Sequence, residues 1–104
     1  MEHVIQRILK FRDDRNWLQF HTPENLSKSL VIESSELLEL FQWTSEVNMN
    51  ELAEELADVF VYALLLLKHY DMNFDEIILN KIQKNEEKYP VDKAYGVSTK
   101  YNKL

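Results

Sequence analysis

Cysteine is absent from the 104-residue chain. That excludes disulfides, thiolate metal sites and cysteine nucleophiles. Glycine occurs once and proline twice. So little turn material argues against a sheet protein with many hairpins and for a few long helices with short links. Long apolar runs are missing as well. The longest, Val59 to Leu67, is too short to span a bilayer. Positive charge is in deficit, with 12 Lys and Arg against 18 Asp and Glu and a net charge of −6. A long nucleic acid is therefore not an expected partner, because it needs a basic surface. A nucleotide whose charge is neutralised by a metal remains open. The N-terminal residues lack the cationic region and apolar stretch of a signal peptide. The expectation is a cytoplasmic, soluble protein with no membrane partner. It forms one domain over 1–104, with a helical core of about 4–89 and a tail of 90–104.

The apolar pattern divides the chain into four helices, an all-α, four-helix bundle-like subunit. Val4, Ile5, Ile8 and Leu9 mark the apolar face of a first helix over 4–15, which Arg12 to Arg15 close with charge. Asn16 to His21 is an aromatic-rich connection. Its Trp17 is either a loop residue packed by its own apolar surface or a flat face offered to a base. Thr22 and Pro23 supply a cap and a first-turn proline for a second helix that runs to about Trp43 or Thr44. Trp43 is either a core or interface residue or a second aromatic wall. Asn48 with Glu51, and Asn73 with Glu76, resemble capping boxes for helices over about 49–70 and 74–88. In the last of these Phe74, Ile77, Ile78 and Ile82 are expected to pack inward, and Lys81, Asn85 and Lys88 share a face. Val59 to Leu67 is apolar on every side, which predicts a subunit interface there. Tyr89-Pro90 ends the fourth helix, and 91–104 show no periodicity.

Acids stand out in the second and third helices. Each carries an acid-x-x-acid pair, Glu33 with Glu36 and Glu55 with Asp58, and residues three apart are neighbours on one helical face. Glu33 falls in the middle of the apolar arc of Leu26, Leu30, Leu37, Leu40 and Phe41. An unpaired carboxylate there would cost several kcal/mol or take up a proton. A bound cation removes that cost. Glu55, Asp58 and Tyr62 form a stripe along one border of the third helix's apolar arc. Four carboxylates with no Glu-x-x-His motif favour a hard cation, Mg²⁺ or Mn²⁺, over a di-iron bundle. Mg²⁺ also binds phosphates, so the cluster suits a nucleoside polyphosphate. Glu39 lies further round the helix; it is either a further ligand or a base that polarises water, or a solvent-facing acid, and its position favours the last.

Four stretches carry a more specific signal. They are Arg15-Asn16-Trp17-x-x-Phe20-His21-x-Pro23-x-x-Leu26, Glu33-x-x-Glu36-Leu37-x-Glu39-Leu40-Phe41-Gln42-Trp43, Glu55-Leu56-Ala57-Asp58-Val59-x-x-Tyr62 and Lys81-x-x-x-Asn85-x-x-Lys88-Tyr89-Pro90. In this order and spacing the chain resembles the MazG-like all-α nucleoside triphosphate pyrophosphohydrolases, closest to their small dCTP pyrophosphatase branch. The resemblance implies Mg²⁺-dependent hydrolysis of (deoxy)nucleoside triphosphates to monophosphate and pyrophosphate, with water attacking the α-phosphorus and Mn²⁺ able to substitute. It implies Glu33, Glu36, Glu55 and Asp58 as metal ligands, with no separate general base identified. Trp17 and Trp43 match residues lining the base pocket. Tyr62, Lys81, Asn85 and Tyr89 match sugar and phosphate contacts, Lys88 stands where a basic residue is usual, and His21 is grouped with these substrate-binding residues. A homo-oligomer is implied, a tetramer favoured over a dimer, with a role in clearing surplus or non-canonical nucleotides. Ile32 replaces the first of two adjacent acids found in the broader family, as in the dCTP pyrophosphatase branch. Ile8 stands where the animal enzymes of that branch carry a histidine, so base preference is not carried over. A dUTP-specific relative and a non-catalytic helical interaction module are the alternatives.

Overall fold

The computed structural model describes residues 1–104 and is helical throughout, without strands. The principal helices are α1 (Glu2–Asp14), α2 (Pro23–Glu39), α3 (Met49–His69) and α4 (Phe74–Lys88). Short 3-10 turns cover Leu18–Phe20 and Tyr101–Lys103, and a single turn, α5, covers Val91–Ala94. The chain divides into two compact units, Met1–Asp71 and Met72–Leu104. No helix is long and apolar enough to cross a membrane.

The first unit is built on α2 packed against α3, with α1 also against α3. Each helix start is fixed locally. Thr22 Oγ1 accepts from Asn25 N–H at 3.1 Å. Asn48 Oδ1 accepts from Asn50 and Glu51 N–H at 2.9 and 3.1 Å. Such caps satisfy donors that the first turn leaves without intrahelical partners. α1 ends in a Schellman turn. Asn16 takes the left-handed conformation (φ 54°), while Trp17 N–H donates to Arg12 C=O and Asn16 N–H to Asp13 C=O. Asparagine tolerates that conformation better than most residues. The turn sets Trp17 edge-on to Phe11, with ring centroids 5.6 Å apart.

Ile5, Leu26, Leu64, Leu65 and Leu67 form the buried core. Leu26, at 2 % exposure, is the most enclosed. Leu26→Ala should destabilise the protein by about 2–5 kcal/mol, because it removes apolar burial and leaves a cavity. Urea unfolding of both forms measures this.

α2 is shorter than its sequence pattern. It stops at Glu39, and Leu40, Phe41 and Gln42 turn through bonds to residues three earlier. No basic side chain stands in its last turn to complement the carbonyl end. Leu38 and Phe41 are exposed, so burial does not hold the continuation in helical form. In the second unit Asn73 caps α4 through Glu76 N–H at 2.9 Å. The inward packing expected of Ile77, Ile78 and Ile82 is not found; all three are 40 % or more exposed, and α4 contributes no residue to the buried core. The tail is not wholly irregular either. Tyr101 stacks edge-on with Tyr89 at 6.1 Å and receives the Lys88 ammonium 4.8 Å from its ring centroid.

Candidate metal centre and adjoining cavity

The four acids do converge. Glu33 lies near the end of α2 and Glu55 near the start of α3, so packing the two helices brings their acidic faces together. One carboxylate oxygen each from Glu33, Glu55 and Asp58 can be chosen so that all three lie within 4.8 Å of one another. Glu36 adjoins them and acts on both Glu33 and Glu55. Glu33 and Glu55 are half-buried, while Asp58 is exposed. Glu33 Oε2 and Glu55 Oε2 are each buried without a hydrogen-bond partner.

This arrangement is electrostatically unfavourable as it stands. Burial, followed by the proximity of Glu36, Asp58 and Glu55, pushes the Glu33 carboxyl from 4.5 to about 7. Burial and the charges of Glu36 and Asp58 also raise Glu55. No Lys or Arg forms an ion pair with any of the four; the ion pairs lie elsewhere, at Lys10–Asp14, Arg12–Asp13 and Lys68–Asp71. A cation fits the donor set. Carboxylate oxygens are the usual ligands of a hard divalent cation such as Mg²⁺. A cation held by Glu33, Glu55 and Asp58 would give both orphaned oxygens a partner.

Beside the acids lies a cavity of about 250 Å³ lined by Ile8, Phe11, Arg12, Trp17, His21, Asp58, Val61, Tyr62 and Leu65. Asp58 therefore belongs both to the cluster and to the cavity wall. Trp17, His21 and Tyr62, all expected at the site, meet here. Burial and the nearby Arg12 charge push the His21 imidazole below 6.5, and its Nδ1 is buried without a partner. Trp43 does not line this cavity; it stands 88 % exposed beyond the end of α2. Glu39 is exposed, as its helical position implied. Lys81, Asn85, Lys88 and Tyr89 belong to the second unit, on α4 and its C-cap. Arg12 was not anticipated. Its position continues the Ile5–Ile8 stripe of α1 by one turn, the spacing of a residue directed inward.

Comparison with known proteins agrees with this architecture. The model of the MazG-like family matches residues 28–104. The chain is 33% identical to mouse and to human dCTP pyrophosphatase 1, in alignments covering all of this chain and 67% of each of theirs. A solved pyrophosphatase from Archaeoglobus fulgidus superposes with a TM-score of 0.81 at 42% identity, over 86% of this chain and 92% of that one. The chain belongs to the MazG-like family.

Proposed function

We propose that the protein is a divalent-metal-dependent nucleoside triphosphate pyrophosphohydrolase, one MazG-like domain over 1–104 that acts on deoxynucleoside triphosphates in the cytoplasmic pool. The observation that carries this reading is the pair of orphaned, buried oxygens of Glu33 and Glu55 in an acid cluster that shares Asp58 with an aromatic cavity. The relatives named dCTP pyrophosphatase support the substrate class.

In this reading Glu33, Glu36, Glu55 and Asp58 hold Mg²⁺, or Mn²⁺ in its place. Bound there, the cation would supply charge neutralisation for the phosphates and a lowered pKa for an attacking water. Water adds to the α-phosphorus, the bond from that phosphorus to the αβ-bridging oxygen breaks, and pyrophosphate leaves. The cavity takes the base, with Trp17 as its flat wall. We assign Tyr62, Lys81, Asn85, Lys88 and Tyr89 to sugar and phosphate contacts, supported by their donor chemistry and by the shared α4 face of Lys81, Asn85 and Lys88. Exposed apolar side chains on α2, α3 and α4, including Val31, Ile32, Phe60 and Leu79, support assembly into a homo-oligomer, a tetramer before a dimer. A monomer mass in sedimentation equilibrium would remove the assembly part of the proposal.

The direct test is phosphorus NMR of the products from each common deoxynucleoside triphosphate, with and without Mg²⁺. Monophosphate and pyrophosphate, formed only with metal, are expected. Diphosphate and free phosphate would mean cleavage at the γ-phosphorus and overturn the proposal. Turnover confined to dUTP would instead favour a dUTP-specific relative.

A further inference from the structure

We infer that Arg12 reads the base, selecting one that presents two adjacent hydrogen-bond acceptors, cytosine or guanine, over thymine, uracil and adenine. This rests on the cavity being the base site of a nucleotide hydrolase.

The cavity is small and mostly apolar. At about 250 Å³ it lies below the ~300–1,000 Å³ of pockets that take a whole ligand, so it suits one base with the phosphates outside. Ile8, Phe11, Val61 and Leu65 supply its apolar walls, and Arg12 is its one permanent cation. The Arg12 side chain is only 16% exposed, although it stands in the last turn of α1. Its Nε donates to Asp13 Oδ1 at 2.8 Å, which fixes one edge of the guanidinium. The Nη groups make no hydrogen bond within the chain, nor are they among the atoms sealed from solvent. Two parallel donors thus remain at a cavity with few other polar groups.

A planar fork of two donors matches a base edge with two neighbouring acceptors. Cytosine offers O2 and N3, and guanine offers N7 and O6. Thymine and uracil place an N–H between their carbonyls, and adenine places an amino group beside N7. Each would set a donor against a donor. Arg12 also lines a second cavity with His21, Lys68 and His69; Asp13 holds only its Nε, and although Asp58 shares the base cavity wall it forms no ion pair with Arg12.

The test compares kcat/KM for dCTP, dGTP, dTTP, dUTP and dATP in the wild type, Arg12→Met and Arg12→Lys. The wild type should favour dCTP or dGTP by tenfold or more, and the relative rates decide between those two. Arg12→Met keeps the length and apolar stem of the side chain. It should cost the favoured substrate about 5- to 150-fold, the worth of a bidentate contact, mainly in KM, with at least tenfold less loss for dTTP and dATP. Arg12→Lys retains charge without the fork and should also lose discrimination. An equal loss for every base, or unchanged ratios, would overturn the role of Arg12 while leaving hydrolysis in place. Titration of the metal-free protein with dCMP, dGMP, dTMP and dAMP gives an independent reading: dissociation constants that do not depend on base in the wild type would also overturn it. No turnover of any triphosphate by the wild type would instead remove the functional reading beneath it.

Discussion

Glu33→Gln should abolish hydrolysis and leave a metal-free protein at least as stable as the wild type. Both halves follow from one feature. Glu33 is a half-buried carboxyl among like charges, with an oxygen lacking any partner. As an acid it is suited to a cation and poorly suited to the bare fold. Losing a ligand removes several kcal/mol of transition-state stabilisation, on the order of a thousandfold in rate. The amide keeps the shape and removes the charge that Glu36, Glu55 and Asp58 oppose. Steady-state rates and melting curves with and without Mg²⁺ measure both effects. Mg²⁺ should raise the wild-type midpoint and leave that of the variant nearly unchanged. Asp58→Asn should behave likewise for rate. Near-full activity in either variant would place the metal elsewhere. A variant that is inactive because it melts well below the wild type would mean that Glu33 supports the fold.

The metal-free protein should lose stability as the pH rises from about 4.5 through 7, and saturating Mg²⁺ should reverse that slope. Glu33 holds its proton to about 7 in the folded state, against 4.5 ordinarily. Between those values the folded chain binds more protons than the unfolded chain. Stability from this group is therefore present at the acid end of the window and lost towards the alkaline end. Glu55 is displaced in the same direction. His21 opposes them, because burial lowers its imidazole below 6.5 and favours folding as the pH rises. The wild-type slope is expected to follow Glu33, whose displacement is large, and Glu33→Gln should flatten it or turn it towards the histidine's sign. Bound metal needs ionised carboxylates, so the holoprotein should gain stability with pH over the same range. Melting midpoints at half-unit intervals, in chelator and in excess Mg²⁺, give the comparison. A chelated protein that is most stable at pH 7 or above would show that the acids are not crowded as described.

Much of this was legible in the chain because its signals are local. Thr22-Pro23, Asn48 and Asn73 mark helix starts through side-chain bonds that reach only two or three residues, and all three occur as expected. The acid cluster was legible for a related reason. Helical spacing pairs Glu33 with Glu36 and Glu55 with Asp58, and a charge in an apolar arc implies something to neutralise it. The end of α2 was not legible. Leu40, Phe41 and Trp43 continue the apolar pattern, but the helix stops where burial no longer supports it. The apolar residues of α4 gave the right face and the wrong surroundings, since periodicity shows which side chains agree and not what covers them. Arg12 was missed because a charged residue at a helix end normally faces water. Its place on the Ile5–Ile8 stripe was the available signal.

The acids come from α2 and α3, whereas much of the cavity wall, including Arg12 and Trp17, comes from α1 and the Schellman turn that follows it. Only Asp58 belongs to both. Under the proposed function, substitutions in the first twenty-odd residues would redirect which nucleobase is admitted while leaving the acid cluster intact. A lineage carrying this fold would then change its diet through one short segment, without passing through an inactive ancestor.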